Sequence, residues 1–124
     1  MTEYIDPEQA LVAADYLGLH IRDRGLLFSA LARPATSAFG DDAYETLELK
    51  AAALLSSLGT NHAMIDGNKR FSWFLTLAFL RLNGYRVVMS NDDAFNLVLA
   101  VAQGAQDLDE IALRLRTHMV SYPR

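Results

Sequence analysis

The 124-residue sequence has no cysteine, which removes disulfides, thiolate metal ligands and a cysteine nucleophile together and suits a reducing compartment. It has only two lysines, Lys50 and Lys69, and a net charge of −4 at pH 7. Nucleic-acid binders usually neutralise phosphates with a broad basic surface, so no direct contact with nucleic acid is expected. Long apolar runs are missing too. The longest, residues 71–82, is interrupted by Ser72, Thr76 and Arg81 and is too short to span a bilayer. The first six residues are acidic and lack the basic start and apolar stretch of a signal peptide, so a cytoplasmic protein without membrane contact is expected. Neither Gly-x-x-x-x-Gly-Lys-Ser/Thr nor Gly-x-Gly-x-x-Gly occurs, which excludes the usual nucleotide cradles, and no His-Glu-x-x-His offers a zinc site.

What the chain does have is apolar material: 52% of residues are hydrophobic and 10% aromatic, enough to build a core in one domain over residues 1–124. The patterning is helical almost throughout. Asp6, Pro7 and Glu8 read as a cap, a first-turn proline and an acidic first turn, opening a helix that runs to Gly18. A second helix is expected over residues 23–32, ending before Pro34. Residues 46–58 are rich in good helix formers, with Gly59 as the end or a late irregularity. Asn68 is placed to cap a fourth helix, which closes at Asn83 and Gly84. That helix is apolar nearly all round, which predicts the buried centre of the domain. Residues 85–89 read as a short β-prone connector. Ser90 with Asp93 and Asp107 with Glu110 open two more helices, the last reaching about Tyr122. The only loop-rich stretch is residues 33–42, and Asp41, Asp42 and Glu45 read as a solvated rim. The expected fold is therefore all-α, a bundle of five to six helices around a buried central one, with no convincing sheet.

Residues 62–70 hold the chemistry. A glycine turn at Asp66-Gly67-Asn68 followed by a helix start leaves several backbone N–H groups without intrahelical partners, and those donors can hold an anion. Lys69 and Arg70 in the first helical turn oppose the helix dipole, at a cost of about 0.3–1 kcal/mol each, which an anionic ligand would offset. His62 lies four residues before Asp66. An imidazole exchanges protons near neutral pH and can take one from an attacking hydroxyl. Asp66 can hold Mg²⁺, which prefers one or two carboxylates together with substrate phosphates. Taken singly, each residue has a plainer reading: a histidine at a helix end, a capping aspartate, two solvated cations. Phe71, Trp73, Phe74 and Phe79 fit core packing better than a nucleotide platform.

The run His62-Ala63-Met64-Ile65-Asp66-Gly67-Asn68-Lys69-Arg70 resembles the H-x-F-x-D/E-x-N-K-R signature of the Doc branch of the Fic family, the toxins of Phd/Doc toxin–antitoxin pairs. The likeness extends to Gly25-Leu26-Leu27, Ala30-Leu31-Ala32-Arg33-Pro34, Lys50-Ala51-Ala52 and Phe79-Leu80-Arg81-Leu82-Asn83-Gly84-Tyr85, so it covers nearly the whole chain. It implies a Fic/Doc helical fold that transfers part of ATP to a protein hydroxyl. By that pattern His62 is the base, Asp66 positions Mg²⁺, Gly67, Asn68 and Lys69 form the anion-binding turn, and Arg70 holds a nucleotide phosphate.

Most Fic enzymes have glycine where this chain has Lys69, and they move AMP. A lysine there fills part of the anion hole, so the resemblance implies reversed nucleotide and transfer of the γ-phosphate, with a threonine of elongation factor Tu as target and translational arrest as the outcome. An adenylyltransferase and a non-catalytic binding module of the same fold are the competing readings. Met64 stands where the family has phenylalanine and Ala63 where proline is frequent. Methionine fills similar space but specifies it less well, which implies a looser loop. No inhibitory Ser/Thr-x-x-x-Glu-Gly/Asn string occurs. Inhibition is therefore expected in trans, from a Phd-like antitoxin whose tail folds as a helix in a groove of this protein.

Overall fold

Six α-helices account for most of residues 1–122, the part of the chain described by this computed structural model, and five of them begin at a side chain that closes onto their own first turn. Asp6, Asp23, Thr46, Ser90 and Asp107 each accept a hydrogen bond from the backbone N–H three residues ahead. Each such cap stabilises its helix by about 1 kcal/mol. They start α1 (Pro7–Tyr16), α2 (Arg24–Ala32), α3 (Leu47–Thr60), α5 (Asn91–Ala102) and α6 (Leu108–His118). The exception is α4 (Asn68–Leu82), whose cap position is Gly67 at φ 78° and whose start has no side-chain capping bond. Asn68, expected from sequence to be that cap, is instead the first residue of the helix.

The described helices share one hydrophobic cluster, and the all-α expectation holds. Its centre is not where hydropathy put it. Helix α3 buries Lys50, Ala51, Ala52, Ala53, Leu54, Leu55, Leu58 and Gly59, whereas Trp73, Phe74, Leu77 and Ala78 of α4 stay half-exposed. The reason is girth. Three successive alanines let α4, α5, α6 and the end of α2 crowd around α3, while the bulky side chains of α4 fill a core from one side. Gly59 does not end α3, which runs on to Thr60. A Cβ there would lie 3.5 Å from Val101 Cγ1 and 3.9 Å from Ser72 Oγ, ordinary van der Waals distances, so the position packs beside both without requiring glycine.

Two small two-stranded sheets correct the all-helical reading in detail. Strand β3 (Tyr85–Val87) pairs antiparallel with β4 (Met119–Ser121), so α6 stops at His118 and the chain does not stay helical to Tyr122. Val88 N–H donates to His118 O at 2.8 Å and Tyr122 N–H to Gly84 O at 2.7 Å, extending the ladder. The partner strand lies more than thirty residues away in sequence, beyond the reach of local periodicity. In the stretch read as loop, a 3₁₀ turn (Arg33–Ala35) leads into β1 (Ser37–Ala38) and β2 (Asp41–Asp42). Phe39 and Gly40 at its tip have φ 54° and 85°, the both-positive pair that a tight two-residue hairpin requires.

The base of this hairpin is fastened to the core by a buried cation. Lys50 is 2% exposed, and its Nζ lies 3.0 Å from Asp42 Oδ2 and also donates to Tyr44 O. Asp42 is thus an ion-pair partner and not only part of a solvated rim. Lys50→Ala is expected to lower the unfolding free energy by about 2–4 kcal/mol, as large-to-small core substitutions do. Lys50→Met keeps the volume but leaves the Tyr44 carbonyl without its donor, and about 1–3 kcal/mol should be lost. Urea denaturation measures both; losses under about 0.5 kcal/mol, as for ordinary surface changes, would show that the buried ammonium contributes nothing.

Candidate active site

Between α3 and α4 the chain has only residues 61–67 in which to turn, and it uses two left-handed positions to do so. Asn61 caps α3, and His62 follows at φ 53°. This is the place where glycine or asparagine usually ends a helix, and a histidine there carries a steric cost of about 1–2 kcal/mol. Gly67 takes the second left-handed position at φ 78°, and a Cβ on it would come within 2.7 Å of Leu19 Cδ2. Both a backbone requirement and a close approach therefore call for glycine at that corner.

The loop between these corners is held by its backbone. Arg22 donates from Nε to His62 O at 2.9 Å. Ala63 O accepts from Arg22 N–H at 2.8 Å and from Asp23 N–H at 3.0 Å. Asn68 clasps Met64 from both sides: its Oδ1 accepts from Met64 N–H at 3.0 Å and its Nδ2 donates to Met64 O at 3.1 Å. Ile65 N–H reaches His20 O at 2.9 Å, beside a bridge between Ile21 and Met64. Ala63 and Met64 are 1% and 2% exposed, so methionine occupies the buried anchor position.

Because both ends of the Asn68 amide are committed to Met64, this side chain cannot cap α4. The first-turn N–H groups of α4 consequently carry no side-chain acceptor. The Gly67 N–H is taken by Asp66 Oδ1 at 2.8 Å. Lys69 and Arg70 are both exposed, and neither is in an ion pair among the described residues, where the pairs are Lys50 with Asp42 and Arg116 with Glu48. One Arg70 Nη2 hydrogen bond, 3.1 Å to Leu17 O at the end of α1, leaves most of its guanidinium donors uncommitted. The His62 ring is exposed and makes no hydrogen bond among the described residues.

Every residue singled out from sequence lines the same cleft of about 320 Å³: His62, Asp66, Gly67, Asn68, Lys69 and Arg70, with Gly59, Ile65 and Ala102 completing its wall. Chemically this is a free imidazole, a free carboxylate oxygen, an uncapped helix start and two cations opening onto one space. Such a set can hold a polyanion and remove a proton beside it. No three His, Cys, Asp or Glu residues converge among the described residues, so the protein offers no cage for a resident metal. Asp66 alone suits Mg²⁺ that arrives with a nucleotide, since that ion takes one or two protein carboxylates and draws its other ligands from phosphates and water.

Sequence reasoning missed Arg22 and residues 17–21, which form the far wall of the loop. Nothing local marks Arg22, which acts on a carbonyl forty residues away. Of the four aromatic residues of α4 expected to pack in the core, Phe71 and Phe79 are 1% exposed, and Trp73 and Phe74 are half-buried and packed against it. No helix among the described residues is long and apolar enough to cross a membrane.

Comparison with known proteins agrees with this geometry. Residues 3–80 match the sequence model of the Fic/DOC family. The chain is also 46% identical over 120 residues to Toxin Doc of Mycolicibacterium smegmatis, a match spanning 93% of this chain and 92% of that one. A match over more than half the sequence, an identity of this size across nearly all of a relative, and an intact His62-to-Arg70 loop together mean that the chain belongs to the Fic/DOC family.

Proposed function

We propose that this protein is the toxin of a toxin–antitoxin pair and acts as a protein kinase, moving the γ-phosphate of ATP to a threonine hydroxyl of a translation factor, with elongation factor Tu the foremost candidate. The observation that carries this reading is the uncapped start of α4, with Lys69 and Arg70 in its first turn and His62 facing the same cleft. Family membership and the relative named Toxin Doc support it.

The chain's own residues divide the work as follows. The Asn68, Lys69 and Arg70 backbone amides and the two cationic side chains bind and orient phosphates, stabilising charge where it builds up. Lys69 occupies space that glycine would leave open, which favours presentation of the terminal phosphate over the α-phosphate. His62 takes the proton from the acceptor hydroxyl as its oxygen bonds to the γ-phosphorus and the bond from that phosphorus to the β–γ bridging oxygen breaks, so that ADP leaves, and the imidazolium then gives the proton to solvent. Asp66 would hold Mg²⁺, which when bound neutralises phosphate charge and aligns the triphosphate. Arg22 holds the His62 carbonyl and Asn68 the Met64 backbone two residues on, so the ring needs little reorganisation. The apolar groove between α1 and α4, with Val12 exposed and Phe74 half-exposed on its walls, is the surface we assign to a helical antitoxin tail.

Incubation with bacterial extract, Mg²⁺ and ATP labelled at either the γ or the α position should leave γ-label on a protein of the translation machinery. Retention of α-label would instead identify an adenylyltransferase. His62→Ala should reduce transfer by about 10²–10⁴-fold, the usual contribution of a general base, and abolish growth arrest while leaving thermal unfolding unchanged. Growth arrest that persists in this variant would point to a binding module. Because Lys50 is buried, Lys69 is the accessible lysine. Saturating ATP with Mg²⁺ should therefore slow acetylation of Lys69, followed by peptide mass spectrometry; an unchanged rate would remove the nucleotide from this loop.

A further inference from the structure

A further cleft, of about 340 Å³, lies between α4 and α5, and Lys69 and Arg70 line both it and the cleft that holds His62. Its volume falls within the range of about 300–1,000 Å³ in which small-molecule pockets lie. Away from the two cations its walls are largely apolar. Asn91, Ala94, Phe95 and Val98 supply one side, spaced as neighbours on one face of α5, and Trp73 supplies the other from α4. Core packing accounts for Phe71 and Phe79, but Trp73 packs against the core and borders this cleft as well. Phe95 is 63% exposed, although Leu97, Val98 and Val101 of the same helix are buried. The Asn91 side chain is exposed and makes no hydrogen bond among the described residues.

The face of α5 that builds this wall also reaches the His62 cleft, whose lining includes Ala102, the fourth residue after Val98. At the rise of a helix, Val98, Phe95 and Asn91 lie about 6, 10 and 16 Å back along the axis from Ala102. A triphosphate held at the start of α4 by its terminal phosphate still has its ribose and base to place, and extended along α5 they arrive beside Phe95. What each simpler occupant leaves unmet narrows the choice. A bare phosphate leaves Trp73 and Phe95 in water. A purely apolar helix covers them and sets its own side chains against Lys69 and Arg70. A planar ring joined to phosphate satisfies both ends. Aromatic side chains stack on the face of any base, and an asparagine amide can pair with a base edge through one donor and one acceptor.

We infer that the α4/α5 cleft is the nucleoside subsite, in which Trp73 and Phe95 hold the base of the nucleotide while Lys69 and Arg70 hold its phosphates. The inference rests on the reading that the His62 loop binds ATP, and it adds the residues that distinguish such a ligand from an inorganic polyphosphate.

Trp73 is the sole tryptophan of the chain, so its emission, excited where tyrosine does not absorb, reports on this cleft. With Mg²⁺ present, ATP and adenosine should each quench it saturably, whereas inorganic tripolyphosphate should slow Lys69 acetylation and leave the emission unchanged. Phe95→Ala should weaken ATP binding about tenfold, the effect of one lost base stack, and raise KM for ATP to match, with tripolyphosphate affinity unaltered. Ala94→Phe, which fills the cleft, should do the same, and retained tripolyphosphate affinity shows that either variant is folded. Equal quenching by tripolyphosphate, no response to ATP and adenosine, or undiminished ATP affinity in both variants would overturn the proposal. So would emission that changes with protein concentration instead, as self-association through Phe95 would produce. ATP that slows Lys69 acetylation without touching Trp73 emission removes the subsite and leaves the kinase reading; quenching by ATP without any γ-phosphate transfer does the reverse.

Discussion

The double hydrogen bond between the Asn68 amide and the backbone of Met64 is the contact on which the site depends. An asparagine beside a helix start would ordinarily cap it. Here both its donor and its acceptor are spent on the preceding loop, and two consequences follow at once. The loop carrying His62 is fastened to the helix that follows it, and the amino terminus of that helix keeps its N–H groups for something else. Elsewhere among the described helices an Asp, Ser or Thr side chain occupies that place. One residue thus leaves a helix start open without any added element.

The arrangement works against stability at several points that all face the same cleft. His62 holds a left-handed backbone that a glycine would adopt more cheaply, Gly67 takes a second such corner against Leu19, and two cations sit at the positive end of a helix dipole. These are local conflicts in a chain whose other helix starts obey the usual preferences. Outside the Phe39 turn, such conflicts gather in one nine-residue stretch, which points to that stretch as a part selected for something other than folding. The strain is borne by bonds from Arg22 and His20 outside the stretch and from Asn68 within it.

Helix starts at Asp6, Asp23, Ser90 and Asp107 were legible in the sequence because a cap and its partner lie within four residues, and so was the grouping of His62, Asp66 and Lys69 in one turn. What stayed illegible depends on contacts between distant segments. The buried Lys50 looks like any surface lysine until Tyr44 and Asp42 fold back over it. The pairing of Tyr85–Val87 with Met119–Ser121 leaves no periodic trace, because each strand is too short to show alternation. Gly59 reads as a helix end or irregularity when only its neighbours in sequence are considered, whereas α3 continues past it to Thr60. The centre of the core went to α4 for a related reason: hydropathy counts apolar bulk, whereas helices crowd where side chains are small.

The same distinction explains why Met64 can stand in the anchor position usually held by an aromatic ring. A ring fixes a loop through shape, because its planar side chain fits one slot; a methionine fits many and specifies little. In this chain the loop does not rely on that fit. The carbonyls of three successive residues, His62, Ala63 and Met64, each accept a bond from Arg22, Asp23 or Asn68, and the N–H groups of Met64 and Ile65 are also taken. Hydrogen bonds at adjacent backbone groups restrict the peptide planes directly, so the direction in which His62 leaves the loop is set before any side chain packs. The buried side chain then has only to exclude water from those bonds, and a thioether 2% exposed does that as well as a ring.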